Sequence, residues 1–277
     1  MIENLEKVEF MRPELSVEDL SYALHQANLK LLETNRKLKE SEKKRYELLA
    51  NISHDLRSPI TTLRGYTEYL LSFEQLDEQE VFTTLKQMYQ KFLSLDYLLN
   101  ELLLFTKLEA TELPVNLTPV PIRDYLQAFF DSCKTDIKYS QRRLSLKLPK
   151  DFPYYVQLNS EMFARAMDNL FINALKYSSR NDEITLEAYY QQQEIIISVS
   201  DTGIGIDSKY IPFLFDRTYM ISASRTPEQL KGCGLGLSIA SDIIKKHRGE
   251  IWCNSILGKG STFYISLPIY SETDTNQ

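Results

Sequence analysis

Residues 1–15 are weakly patterned, and from Val17 onward to about residue 109 apolar residues fall at helical spacing. Leu24, Leu31 and Leu38 stand seven apart, with Ala27 at an intervening position, and Glu, Lys, Gln and Arg fill many of the positions between them. This predicts a short coiled-coil seam with a solvated face. The next strong apolar positions, Leu49, Ile52, Leu56, Ile60 and Leu63, begin eleven residues after Leu38. Relative to strict heptads that is a four-residue insertion, which locally unwinds a supercoil. A second stripe (Val81, Leu85, Met88, Phe92, Leu95, Leu98, Leu99, Leu102, Leu103 and Leu108) predicts a helix over 78–109. Joined by the link 72–77, the two helices make a hairpin with a wide apolar face. Pairing two copies into a four-helix bundle buries that face, so the expected assembly is a homodimer.

The pattern changes after Thr111. Pro114, Pro119 and Pro121 arrive together and mark a domain boundary. Beyond it, alternating and β-branched runs predict strands over 143–148, 183–188, 194–200, 250–255 and 261–267. Helical spacing predicts helices over 122–138, 160–177 and 237–246. The expected fold class is α+β: an N-terminal coiled coil and helical hairpin in a dimeric bundle, then an α/β sandwich of mixed sheet and packed helices. The corresponding divisions are 1–41 (coiled-coil segment, with Pro13 interrupting any helix at its start), 42–112, 113–270, and a disordered tail 271–277.

Composition narrows the function classes. The chain has 277 residues, 43% hydrophobic and 25% charged, with a formal net charge of -6. With no basic stripe, nucleic acid is not an expected partner. Cys133, Cys233 and Cys253 are far apart and odd in number, which reads as reduced thiols rather than a disulfide framework and argues against a cysteine metal site. No apolar run reaches the length of a membrane helix, and MIENLEKVEF is too charged for a secretory signal. The expectation is a soluble cytoplasmic chain, or the soluble part of something larger.

Candidate chemistry begins with the glycines. Of nine, only Gly65 precedes residue 200, and five form two clusters, Asp201-Thr-Gly203-Ile-Gly205 and Gly232-Cys-Gly234-Leu-Gly236-Leu237. The first follows an apolar strand, and the second opens a helix, where free N–H groups and the helix dipole favour phosphate. Alone, the second cluster is also compatible with a dinucleotide-binding turn or a plain turn, although its late position in the chain argues against the former. Within the predicted helix 160–177, Asn169 and Asn173 are four apart and share a face that Lys176 joins. Amide oxygen suits Mg²⁺ and lysine suits phosphate, whereas a merely solvated polar face would be the ordinary explanation.

Taken together, DNLFINALKYS, DTGIGI, FDRTYM and GCGLGLSI, in that order, resemble the N, G1, F and G2 boxes of the sensor histidine kinase ATP-binding domain. The upstream string SHDLRSPI (Ser53 to Ile60) resembles the phosphoacceptor H box of the same family, and the closing stretch from Gly258 to Pro268 is also similar. The resemblance covers residues 42–269. It implies an ATP-dependent protein-histidine kinase that phosphorylates His54 and passes the group to an aspartate of a response regulator. Asp55 would accept the imidazole proton, standing where the family usually has glutamate. Ser58 stands at the position that supports dephosphorylation of the regulator.

For the nucleotide, the resemblance implies that Asn173 holds Mg²⁺, that Asn169 lies near metal and phosphates, and that Lys176 contacts phosphate. It implies that Tyr177 lines the pocket and that Asp201 accepts from the adenine amino group. Gly203 and Gly205 would shape the adenine side; Gly232, Gly234, Gly236 and Leu237 belong to the phosphate side. Arg217, Arg225 and Lys231 are candidate phosphate contacts in the segment 207–231, which Phe215 and Tyr219 would pack down. His25 reads as a solvated helix residue and His247 as a structural cap. Other ATPases of the wider fold superfamily lack a reason for the His54-Asp55 pair behind a coiled coil, and a regulator-binding scaffold lacks a reason for intact N, G1 and G2 strings. Residues 1–41 are too few for a sensory domain of about 100 residues, so input is expected from an upstream sensor protein or a membrane sensor region.

Overall fold

The computed structural model describes residues 17–72, 77–109, 115–216 and 235–270. The chain divides into two compact units after Leu49. The first is the N-terminal part of helix α1 (Val17–Leu71), in which the seam residues Leu24, Leu31 and Leu38 are exposed.

The second unit opens with the rest of α1 and with α2 (Glu78–Glu109), the two arms of the predicted hairpin. Ile52 and Leu63 are buried, and Tyr69 Oη donates to the Glu80 carboxylate near the turn. Leu85, Tyr89, Phe92, Leu99 and Leu103 remain exposed on α2. Pro59 lies inside α1 and supplies no N–H to the carbonyl four residues back; Thr62 Oγ1 donates to the Ser58 carbonyl beside it.

After the boundary prolines come β1 (Thr118–Pro121), α3 (Ile122–Thr135), β2 (Arg143–Lys147), β3 (Tyr155–Leu158), α4 (Ser160–Tyr177), β4 (Glu183–Gln191), β5 (Glu194–Asp201), α5 (Leu235–Lys246), β6 (Glu250–Ile256) and β7 (Gly260–Pro268). The main sheet runs β2-β4-β5-β7-β6, with β2 parallel to β4 and every other pair antiparallel; β1 and β3 form a separate antiparallel pair. Ile184, Leu186 and Ala188 on β4, Ile195, Ile197 and Val199 on β5, and Phe263, Ile265 and Leu267 on β7 are buried, as period-two alternation requires. So are the stripes of the helices: Ile122, Leu126 and Phe130 on α3, Phe163, Met167 and Leu170 on α4, Ile239, Ile243 and Ile244 on α5. The alternate face of β5 is closed as well: Ser198 lies opposite Tyr264, which stacks on Trp252.

Predicted elements recur with shifts that have local causes. Helix α3 ends at Thr135, not 138, because Asp136 is extended and its side chain accepts from the Lys138 N–H, starting a 3-10 turn instead. Strand β4 extends to Gln191 and α5 starts at Leu235. Strands β1 and β3 were not expected.

His247 is a structural cap, as expected, and a buried one. Its Nδ1 lies 2.7 Å from the Ile243 carbonyl, and its Nε2 accepts from the Asn159 N–H at 3.0 Å, joining the end of α5 to the cap of α4. Burial holds its pKa below the ordinary value. In the unfolded chain it takes a proton near pH 6.5, before the folded protein does, so this contribution is complete above that pH and is lost as pH falls. The expected result is that the stability advantage of wild type over His247→Gln, measured by urea unfolding, shrinks between pH 7.5 and 5.5. An advantage that grows on acidification would show that the ring is held protonated.

Candidate active site

Two groups of predicted residues are assembled on different elements. On α1, His54 projects an exposed imidazole, 69% accessible, with Nδ1 3.3 Å from Asp55 Oδ1. Asp55 is only 12% accessible, and its other oxygen is buried without a partner. The exposed ring is therefore oriented by a sheltered carboxylate: an Nδ1–H donated to Asp55 leaves the Nε2 lone pair facing solvent. Ser58 lies one turn on, lining the same groove as His54, Arg57, Thr61 and Thr62.

The second group surrounds the C-terminal half of α4. The Asn159 side chain caps the helix by accepting from the Met162 N–H at 3.0 Å. At the other end Arg142 donates to Ser178 Oγ at 2.9 Å and to the Ser178 carbonyl at 2.7 Å, satisfying the last turn where Lys176 and Tyr177 stand. Asn169 is buried at 4% exposure, while Asn173 is half-buried one turn further. The Lys176 ammonium lies 5.2 Å from the Tyr177 ring centroid.

The first glycine cluster packs directly on this helix end. The Ile204 N–H donates to the Tyr177 carbonyl at 3.1 Å, and a side chain on Gly203 would lie 2.1 Å from that same oxygen. Asp201 turns the chain there by accepting from the Gly203 N–H at 2.9 Å. Burial raises its carboxyl above the usual range against the pull of the Gly203 and Ser261 N–H groups. Gly205 is left-handed (φ 65°) and abuts the Ile256 carbonyl. Ser255 closes this corner, its Oγ accepting from the Ile206 N–H and donating to the Gly260 carbonyl.

The second cluster meets Asn169. At the start of α5, a Cβ on Gly236 would come within 3.1 Å of Asn169 Oδ1, so glycine is what lets the helix N-terminus approach the amide. Leu237 follows, half-buried in that first turn. Phe215 packs edge-on against Phe263. Arg217, Tyr219, Arg225, Lys231, Gly232, Cys233 and Gly234 lie outside the described residues.

Sequence reasoning did not anticipate that α2 also reaches this site. Tyr97 Oη donates to Asn169 Oδ1 at 3.0 Å, and Glu101, at 6% exposure, lies beside the same amide. The available signal was an i,i+4 pair carrying a carboxylate into a leucine-rich stripe. Arg142 and Ser255 were missed too, neither being part of a recognisable string.

Comparison with known proteins gives the same two parts in the same order. Residues 44–111 match the family described as His Kinase A (phospho-acceptor) domain, and residues 159–271 match the Histidine kinase-, DNA gyrase B-, and HSP90-like ATPase family. The chain is 36% identical over 238 residues to the phosphate regulon sensor protein PhoR of Pseudomonas aeruginosa, covering 85% of this chain and 53% of that protein. It is 32% identical over 237 residues to the sensor histidine kinase WalK of Bacillus subtilis, covering 84% of this chain and 38% of that one. It thus spans about half or less of these relatives. The histidine kinase ThkA, solved in complex with the response regulator protein TrrA, shares the fold at a TM-score of 0.64 and 20% identity over 88% of this chain and 67% of that one. With both domain types in order and relatives above 30% identity across more than four fifths of its length, the chain belongs to the two-component sensor histidine kinases.

Proposed function

We propose that this chain transfers the γ-phosphoryl group of ATP to Nε2 of His54 and passes it on to an aspartate of a response regulator. The observation that carries the reading is the exposed His54 ring held at Nδ1 by Asp55. The Nε2 lone pair forms the bond to phosphorus as the bond to the β–γ bridging oxygen breaks and ADP leaves with that electron pair. The Nδ1 proton moves to or is shared with Asp55, so the imidazole carries no net charge penalty as it is phosphorylated.

The residues around α4 fit a magnesium nucleotide. Asn169 has a buried amide nitrogen without a partner, Gly236 leaves open the approach of a helix N-terminus, and Gly203 lets the turn after β5 pack tightly on the α4 end. Among the described residues no group of three or more His, Cys, Asp or Glu side chains could hold a metal alone. Mg²⁺ in this reading is held largely by substrate phosphates and water, with Asn173 giving an amide oxygen. Bound there, Mg²⁺ supplies charge neutralisation of the triphosphate. Asn169 and Lys176 face the phosphates in this reading, Tyr177 lines the pocket, Asp201 accepts from adenine, and Gly205 and Leu237 border the nucleotide. Arg217, Lys231, Gly232 and Gly234 complete the phosphate side.

The exposed apolar residues of α2 support a homodimer through the hairpin. The ThkA–TrrA complex supports a receiver domain as partner, and the Ser58 hydroxyl supports dephosphorylation of that partner. The signal enters through residues 1–41 from a sensor protein or a sensor region. Among the described residues no helix is long and apolar enough to cross a membrane. Incubation with γ-labelled ATP and Mg²⁺ should give a protein-bound label that is lost in acid and stable in base. Acid-stable label would assign the acceptor to a hydroxyl and overturn the reading.

A further inference from the structure

The last turn of α4 is gripped from two sides. On one side, the Ile204 N–H of the first glycine cluster donates to the Tyr177 carbonyl at 3.1 Å. On the other, Arg142 reaches three oxygens. Its Nε donates to Ser178 Oγ at 2.9 Å, and its Nη2 donates to the Ser178 carbonyl at 2.7 Å and to the Leu175 carbonyl at 3.3 Å. Leu175 and Ser178 bracket Lys176 and Tyr177 in the chain. Carbonyls at a helix C-terminus lack intrahelical donors and carry the negative end of the dipole, so a guanidinium suits them in geometry and in charge.

Arg142 is itself fixed at its root. Its N–H donates to the Tyr139 carbonyl at 2.9 Å. On either side of it, the Gln141 carbonyl accepts from the Asn181 N–H and the Arg143 N–H donates to the Asp182 carbonyl, both at 2.9 Å. Arg143 then pairs with Glu183 in the parallel register of β2 and β4. The chain leaving α4 is therefore stitched to the start of β2 around Arg142, and Asp182 Oδ2 closes the turn between by accepting from the Ser179 N–H. The half-buried arginine fork holds three oxygens at once, which a lysine ammonium on a flexible stem does not reproduce.

We propose that Arg142 is a positioning residue of the nucleotide site, holding the last turn of α4 so that Lys176 meets the phosphates and Tyr177 the base side of one bound nucleotide. This rests on the reading of Lys176 and Tyr177 as residues of the ATP site. Arg142 acts through that turn, since its guanidinium is directed at the helix end. Without it, the turn keeps the Ile204 contact and pivots about it, and Lys176 leaves its place against the phosphates.

The test uses the full chain, with Arg142→Met and Arg142→Lys beside the wild type, each alone and combined with Lys176→Met. Calorimetry gives the dissociation constant for AMPPNP with Mg²⁺, and His54 labelling against ATP concentration separates KM from kcat. Arg142→Met should raise the dissociation constant and KM about tenfold, below the hundredfold that a misplacement of about 1 Å can cost, and change kcat less than about threefold. Arg142→Lys should recover only part of that loss. Lys176→Met should weaken binding by a factor at least about twofold smaller beside Arg142→Met than alone, because both residues act through one turn. A role confined to stability leaves the Lys176→Met factor the same in both backgrounds. That result, wild-type affinity in both Arg142 variants, or a loss carried by kcat with KM unchanged overturns the proposal. If Arg142→Met does not fold, Arg142→Lys is read in the same way. Wild type that binds no AMPPNP overturns the ATP-site reading and the proposal with it. Wild type that binds AMPPNP but labels no histidine sinks the kinase reading alone, and the dissociation constants still decide the role of Arg142.

Discussion

His54→Gln is expected to reduce acid-labile labelling to background, a loss of at least about a thousandfold, set by removal of the nucleophile itself. The chain contains only three histidines, and the other two have settings that exclude them. His247 is buried at 1% exposure with both ring nitrogens engaged, so neither is free to attack. His25 is exposed on α1 but is flanked by Leu24 and Gln26, with no adjacent carboxylate. The His54 ring is mostly in solvent, with Asp55 as its hydrogen-bond partner, so Gln should change stability by no more than about 0.5 kcal/mol. Loss of label without loss of fold is therefore a loss of chemistry. Asp55→Ala separates nucleophile from base: it should keep the label but slow its appearance about a hundredfold or more. Full label in His54→Gln would place the acceptor elsewhere and leave the His54–Asp55 pair without a role.

Much of this was legible because the relevant signals are local. Helix α4 runs over Ser160–Tyr177, as its apolar spacing predicts, with Asn159 as a conventional cap. Asp201 follows a buried strand and closes its turn on Gly203, as a short acidic side chain before glycine suggests. The elements missed are those defined only by distant partners. Strand β1 is the four residues TPVP, which read as a linker; it exists because Thr118 to Pro121 pair with Leu158 to Tyr155, some forty residues away. Proline is tolerated there because, among the described residues, the strand pairs along one edge alone. Periodicity also assigned α2 to hairpin packing alone. Tyr97 and Glu101 lie about seventy residues from Asn169 along the chain, and spacing on one helix carries no information about which other element it meets. Arg142 belongs to the same class: a surface-like arginine in sequence that holds the end of α4 in the fold.

Gly203→Ala should cost both stability and nucleotide binding, and the geometry says why one methyl group is enough. The added Cβ would sit 2.1 Å from the Tyr177 carbonyl oxygen, 2.8 Å from its carbon and 3.0 Å from Asp201 Oδ1. Two of these are backbone atoms at the end of α4, where Arg142 already fixes the neighbouring Ser178 carbonyl. No rotamer change relieves the clash. Either the turn lifts, breaking the Ile204 N–H bond to Tyr177 and the Gly203 N–H bond to Asp201, or the last turn of α4 moves with Lys176 and Tyr177 on it. The expected loss is about 2–4 kcal/mol, within the range for backbone overpacking, with at least about a tenfold loss of AMPPNP affinity because the adenine and phosphate sides are displaced relative to each other. Gly65→Ala is the matched control. It lies within α1 with nothing within 4 Å of the added methyl, so the same substitution should stabilise by about 0.5–1 kcal/mol through helix propensity. Denaturant unfolding and calorimetry on the two variants read both effects. If Gly203→Ala behaves like Gly65→Ala in both measurements, the turn does not pack on α4 as described, and the assembly of the nucleotide site around that contact fails with it.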